Sequence, residues 1–406
     1  MRVSLQDFQN YIANNTQPEN GPEFVGYFCA VEPHCGADFN NLLKLDNARL
    51  EIHRALDRLF ATVDWSRSFD HPLAIIYDEV LKPEAVIEWH WWLRTKCADI
   101  KNIYLFLTHS IGTQAWWTEW CHAQRQQSFT IVDHLPSPKW VKRYIANNPH
   151  LPSNTNTQQA SDKINATNFY FSYFGGSSKP IQASATGAAD PFVDRLYLTL
   201  EMLDFDQHAL IDFAGLPGDF DRVEQYVEYI TYFKDQSAVD RIRNQYHKFF
   251  TNNQLKARFQ ELGFESDTSL ELTFKLSGFE YQVNHQCFAS VIRETLLDGC
   301  INTFTEKTCR PFFNYCMAIP TGYCAVEQLQ QRGFWFPTDL IDYSYQYERD
   351  FYQRIQLLKH SLSQLTKHPI GTLKQYALEH VDDLYQNHCA VVGMKHLDSV
   401  AVSLPK

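Results

Sequence analysis

Three short apolar runs in the first 150 residues constrain this chain more than any other feature. They are LAIIYDEV (Leu73–Val80), KNIYLFLTHS (Lys101–Ser110) and SFTIVDHLP (Ser128–Pro136). Each is too short for a membrane span, rich in branched and aromatic residues, and bounded by polar groups. They therefore read as strands buried on both faces. EFVGYFCAVE (Glu23–Glu32) reads as an earlier strand. From Phe39 to Val63 the apolar residues Leu42, Leu45, Ile52, Ala55, Leu56, Leu59 and Phe60 recur at helical spacing. Strands alternating with helices predict a parallel sheet covered by its own crossovers. In such sheets ligands gather beyond the carboxyl ends of the strands. That position singles out Asp78, Glu79, His109, Asp133 and His134.

The alternation stops at a polar stretch, Asn147 to Asn168, which reads as a linker or long loop. It then resumes. NFYFSYF is a strand, SSKPIQASATGAADP (Ser177–Pro191) a second flexible stretch, and FVDRLYLTLEML a helix. HALIDFAGLPG (His208–Gly218) is strand then turn, and Phe220–Leu262 is mostly helical. LELTFKLSG and CFASVIRET are strands, Glu306–Met317 a helix and AIPTGY a short strand. Ser344–Leu365 and Ile370–Gln386 are amphipathic helices. With 406 residues to place, the expected fold class is α/β. Two Rossmann-like domains, residues 1–150 and 165–350, are closed by C-terminal helices over 351–406.

Composition removes several classes of function. An excess of 47 acidic over 36 basic side chains, net −11, argues against a broad surface for duplex nucleic acid. No apolar run approaches the ~20 residues of a membrane helix, and the first residues lack a secretory pattern. The 10 cysteines never form CxxC, and Cys309, Cys316 and Cys324 fit no common zinc spacing. A cytoplasmic protein with reduced thiols is the expectation, in which the sequons at Asn14 and Asn165 carry no meaning. Two DFD triplets, Asp204–Asp206 and Asp219–Asp221, have the form of a divalent-ion motif, but we assign no metal ligand. Six of the 9 Trp lie in EWHWWL (Glu88–Leu93) and QAWWTEW (Gln114–Trp120). They form either core or a stacking platform for sugars and bases.

The most chemically loaded stretch is SVIRETLLDGCINTFTEKTCRPFFNYCMAIPTGY, Ser290–Tyr323. A strand delivers Arg293, Glu294 and Thr295. A loop then delivers Thr305, Glu306 and Lys307 at a helix start, with Arg310 one turn on. Helix N-termini favour phosphate, Lys and Arg supply charge-assisted donors, and the acids can accept from sugar hydroxyls. The plainer reading of the same residues is a capped helix start, with Thr305 as the cap.

This stretch resembles the donor-binding segment of the inverting α1,3-fucosyltransferase family. Thr305, Glu306, Lys307 and Arg310 stand in register with that family's Thr-Glu-Lys-x-x-Arg run, followed by Ile319, Pro320 and Gly322. Glu294 and Thr295 stand where its acidic turn stands. Upstream, Arg195 matches the family's phosphate-binding Arg, and Asp212 and Gly215 match a later turn. LQQRGFWFPTDLIDYSYQYERD (Leu329–Asp350) fits a looser glycosyltransferase-like group found partly in bacteria and phages.

The resemblance implies a GT-B fold of two Rossmann-like domains facing across a cleft. The first would hold the acceptor and the second the nucleotide diphosphate sugar, GDP- or UDP-linked. It implies sugar transfer to a hydroxyl, with inversion and no metal or other cofactor. Arg195, Glu294, Thr305, Glu306, Lys307 and Arg310 would bind the donor. The resemblance does not reach the first 150 residues. There Glu79, His109 and Asp133 are the candidate bases, Glu79 slightly ahead. A carbohydrate hydroxyl is the expected acceptor and a nucleic acid an alternative one. Two further readings stay open: a phage-type DNA-base glycosyltransferase and a non-catalytic nucleotide-sugar-binding module.

Overall fold

Two parallel sheets organise the chain. The computed structural model describes residues 2–3, 27–29, 39–65, 73–77, 81–108, 110–134, 156–174, 197–212, 240, 244, 283–294, 302–392 and 402–403, with single gaps at 44, 62, 64, 98, 200 and 305.

The first sheet contains β1 (Tyr27–Cys29), β2 (Leu73–Tyr77), β3 (Ile103–Thr108), β4 (Ser110–Ile111) and β5 (Thr130–His134). Strands β1, β2, β3 and β5 are parallel and lie side by side in chain order. Because the chain advances one way only, right-handed crossovers place their helices on one face. These are α1 (Ala48–Leu59), α2 (Pro83–Lys96) and α3 (Thr113–Ala123). Ile52 and Leu56 of α1, Trp89, Trp92 and Leu93 of α2 and Trp117 of α3 pack on Ile75, Tyr77, Leu105, Leu107 and Ile131 of the strands. Helix α2 starts at Pro83, where the missing N–H leaves nothing unsatisfied. Helix α3 follows Gly112, whose φ of 88° is strained for any residue with a Cβ.

The second sheet contains β6 (Phe169–Phe174), β7 (Ala209–Asp212) and β8 (Cys287–Ile292). Its fourth strand comes after β9 (Asn302–Thr303) and α5, and all four are parallel. Helix α4 (Thr157–Ala166) precedes β6, and α5 (Glu306–Phe313) leads into β10 (Met317–Pro320). The order across the sheet is β10-β8-β6-β7. The chain steps from β6 to β7 on one side, then crosses to β8 on the other. Winding therefore reverses between β6 and β8. Strand β9 does not join this sheet. It pairs antiparallel with β4, Asn302 opposite Ile111 and Thr303 opposite Ser110, and becomes the edge of the first sheet.

Helices α6 (Ala325–Gln330), α7 (Phe351–Leu365), α8 (Ile370–Glu379) and α9 (Val381–Val392) complete the second half. Asp350 caps α7 by accepting the Gln353 N–H at 2.9 Å. The helix buries Ile355, Leu358, Leu362 and Leu365 along one stripe. Lys359 on α7 pairs with Glu201 and with Asp204, the latter at 2.5 Å. That Asp204 belongs to the first DFD triplet; the second lies outside the described residues. The main contacts of α8 and α9 are with α4 and α5.

Several elements differ from the sequence expectation. The expected linker contains α4. Asn156 caps it by accepting the Gln159 N–H at 3.0 Å, and Ala160 and Ile164 point inward one turn apart. The expected helix Ser344–Leu365 is a 3-10 turn, Ser344–Tyr347, followed by α7. The expected helix Ile370–Gln386 breaks at His380 into α8 and α9. The helix expected over Phe39–Val63 is a short turn, Phe39–Leu42, followed by α1. Strand LELTFKLSG, the stretch Ser177–Pro191 and nearly all of the helical stretch Phe220–Leu262 lie outside the described residues.

The protein is thus a mixed α/β protein with parallel sheets and Rossmann-like topology. Among the described residues, no helix is long and apolar enough to cross a membrane, and no disulfide joins the cysteines.

Candidate functional site

The winding reverses between β6 and β8, at the carboxyl ends of those strands. This is where open α/β sheets bind ligands. Register places Tyr173 of β6 opposite Val291 of β8, so Arg293 and Glu294 emerge from β8 just past Tyr173. Both are buried. Glu294 is held by the hydroxyl of Thr308 on the first turn of α5. Arg293 feels the charges of Glu294 and Arg310 and the phenol of Tyr173. Its Nε is buried with no hydrogen-bond partner among the described residues. Burial, helped by the neighbouring Arg310 guanidinium, pushes its pKa down from the ordinary arginine value, while Tyr173 and Glu294 oppose this. The Tyr173 hydroxyl is hydrogen-bonded to Thr199 Oγ1 at 2.8 Å. Lys307 and Arg310, both half-buried, come from α5 itself. Two guanidiniums and one carboxylate thus group at a topological switch point, with Lys307 on the first turn of the same helix.

A second group lies at the carboxyl end of the first sheet. Asp133, next to last in β5, is buried. Its Oδ2 accepts the Gln114 N–H at 2.9 Å, at the start of α3. Its Oδ1 has no hydrogen-bond partner among the described residues. Burial pushes its pKa up to about 6. The Gln114 and Gly112 N–H groups, the Thr113 hydroxyl and the charge of Arg332 pull the other way. Arg332 follows α6 in the second half of the chain, and its Nη1 also donates to the Gln328 carbonyl at 2.9 Å.

Chain connectivity brings the two groups toward one another. His134 pairs with Ser110, and Ser110 with Thr303. Two strand spacings of ~4.8 Å and three residues of chain at up to ~3.6 Å each separate His134 from the start of α5, roughly 20 Å at most.

Of the expected site residues, Glu294, Lys307 and Arg310 fall at the switch point, and Glu306 opens α5. Asp133 lies at the carboxyl end of the first sheet. Glu79, His109, Arg195 and Thr305 lie outside the described residues. Arg293 was not among the expected donor ligands, although the same strand delivers it; what marks it is the position of β8 at the winding reversal. Arg332 was also missed, because only the fold brings it to Asp133.

The tryptophans of the two aromatic runs belong to the core. Trp89, Trp92 and Trp117 are almost wholly buried, while Trp91, Trp116 and Trp120 are half-buried around them. Trp117 stacks on Trp120 at 5.0 Å and on Phe129 at 4.8 Å, and its indole N–H reaches the Phe129 carbonyl at 3.0 Å.

No protein-family model matches this chain, and neither does any curated protein or solved structure. Fold and site therefore define it by class: an α/β protein of Rossmann-like topology with Arg293, Glu294 and Arg310 grouped where the winding of its second sheet reverses. The chemistry of that group has to come from its own residues.

Proposed function

We propose that this protein is a glycosyltransferase that moves a sugar from a nucleoside diphosphate to an acceptor hydroxyl without a metal. The observation that carries this reading is the grouping of Arg293, Glu294 and Arg310 at the switch point, beside the helix start that carries Lys307. Fixed cations there stabilise the charge that develops on a departing diphosphate. Glu294, oriented by Thr308, is suited to accept from a ribose or sugar hydroxyl.

Asp133 is the base in this reading. With a pKa of about 6 it is ionised at neutral pH and still basic enough to take a proton in the transition state. The acceptor oxygen forms a bond to the anomeric carbon as the carbon–phosphate-oxygen bond breaks. The bonding pair leaves with the diphosphate, the hydroxyl proton goes to Asp133, and the carbon inverts. The strand pairing of β9 with β4 and the approach of Arg332 to Asp133 support a GT-B arrangement. In it the two halves face across a cleft, the first holding the acceptor and the second the donor.

The test is a panel of GDP- and UDP-sugars offered to the full chain. Calorimetry reads binding, and release of nucleoside diphosphate reads turnover. Micromolar binding and turnover that falls at least a hundredfold in Asp133→Asn are expected. No binding of any donor overturns the reading. Binding without turnover, unaltered by Asp133→Asn, identifies a nucleotide-sugar-binding module instead.

A further inference from the structure

Thr321 is almost wholly buried and follows directly on β10. It is tied on two sides. Its hydroxyl donates to the carbonyl of Ile292, the last residue of β8, at 2.8 Å. Its own carbonyl accepts the Nε–H of Arg354, on α7, at 3.0 Å. Arg354 is wholly buried, and its Nη1 also donates to the carbonyls of Glu348 at 2.6 Å and Arg349 at 3.3 Å. A planar guanidinium shared among carbonyls fixes their relative positions. Strand β10 is itself braced. The Tyr343 hydroxyl donates to the Ala318 carbonyl at 3.0 Å, and the Tyr345 hydroxyl to that of Pro320 at 2.8 Å. Pro320 and Ile292 form the last pair of the β10–β8 ladder. Arg293 comes next, so the Thr321 hydroxyl holds the peptide plane that leads into it. One residue further on, the Thr308 hydroxyl holds the Glu294 carboxylate. Arg293 thus sits between two threonine clamps, one on the backbone before it and one on the side chain after it.

We propose that Thr321 is a positioning residue of the donor site. Through the Ile292 carbonyl it sets the direction in which Arg293 and Glu294 leave β8, and Arg354 holds Thr321 in place from α7. The inference rests on the transferase reading, which makes Arg293 and Glu294 ligands of the nucleotide donor. Binding groups work only when the bonds around them hold them to within ~0.5 Å of the productive geometry. Helix α7 therefore acts on the donor site through one hydrogen-bonded chain, from Arg354 to Thr321 to Ile292.

The experiment uses the full chain with UDP and GDP as probes. Calorimetry reads affinity and thermal unfolding reads stability. Thr321→Val keeps the shape of the side chain and loses the hydroxyl. It is expected to bind the tighter of the two nucleotides at least tenfold more weakly. Thr321→Ser keeps the hydroxyl and is expected to stay within threefold of the wild type, even where it melts lower. Glu294→Gln weakens binding directly. Adding Thr321→Val to it is expected to cost less than a further threefold, because residues that act through one arrangement are not additive. If Thr321→Val does not fold, Thr321→Cys decides. Its thiol is a weak donor, and a loss of at least threefold is expected. Unchanged affinity in the variant that folds overturns the proposal. So does a loss in Thr321→Ser equal to that in Thr321→Val, or full additivity with Glu294→Gln. A wild type that binds neither nucleotide overturns the transferase reading and this assignment with it. Nucleotide binding that depends on the Thr321 hydroxyl, in a protein that transfers no sugar, sinks the transferase reading alone.

Discussion

Arg332 and Asp133 come from opposite halves of the chain, yet each favours the other's charged form. Asp133 is drawn below the value its burial alone would impose, and Arg332 is held above its own. Removing the positive charge with Arg332→Gln is expected to raise the Asp133 pKa further. The acid limb of the pH–rate profile then moves to higher pH, by about one unit. An acid limb that stays in place in Arg332→Gln contradicts Asp133 as the base.

Asp133 also makes a prediction about stability. Its folded pKa, about 6, lies above the ordinary 3.8, so the folded protein binds the extra proton between those values. Its stabilising contribution is present below pH 4 and lost as pH rises through 6. Asp133→Asn, which carries no charge, is expected to be more stable than the wild type at pH 7–8, by on the order of 2 kcal/mol. The advantage shrinks toward pH 4. Urea melts across this range check the trend.

His90 gives the opposite slope. It is fully buried on α2, with Trp91, Trp117, Trp120 and Phe129 around its ring at 5.0–6.2 Å. Burial, with Arg94 nearby, pushes its pKa down to about 4, against a smaller pull upward from Gln126. The unfolded chain binds the proton first, so stability is full above pH 6.5 and falls as pH drops toward 4. His90→Phe is expected to remove about 2 kcal/mol of this loss at pH 5. Melting curves at pH 5 and 8 should show the gain at pH 5 only.

Trp89 is wholly buried and meets the rings of Phe39 at 5.3 Å, Tyr77 at 5.7 Å and Phe60 at 5.8 Å. Trp89→Ala is expected to cost about 3–5 kcal/mol through the cavity it leaves. Denaturant titration reads the cost. A stacking platform would instead lose ligand affinity at little cost to the fold.

Lys307→Ala tests the donor site from α5. The residue is half-buried, so the fold should survive while affinity for a nucleoside diphosphate falls at least tenfold. Calorimetry beside a circular dichroism spectrum separates the two effects, and an unchanged affinity counts against the site.

The strands were legible because a parallel strand buried on both faces is apolar without interruption, as in Leu73–Tyr77 and Ile103–Thr108. Helix α4 was not, because its eight other side chains mask Ala160 and Ile164. Its start is set by one capping bond from Asn156, which a polar stretch does not advertise. The break at His380 is also local and carries no glycine or proline. In the site, Glu294, Lys307 and Arg310 were legible as chemistry within one run of sequence. Arg293 and Arg332 were not, since strand order and the electrostatic influence of one distant segment on another give them their meaning. The single-direction winding of the first sheet and the reversal in the second are likewise properties of pairing rather than of any one run.

The short pairing of β4 with β9 sets a clock on biosynthesis. Ser110 and Ile111 leave the ribosome roughly 200 residues before Asn302 and Thr303, on the order of 10–40 s of translation. Throughout that interval the nascent first sheet has a bare edge of backbone donors and acceptors beside β4. Completing it requires the chain to double back after the second sheet's β8 has been made. A ribosome-bound intermediate halted before residue 302 therefore still carries that edge unpaired by β9.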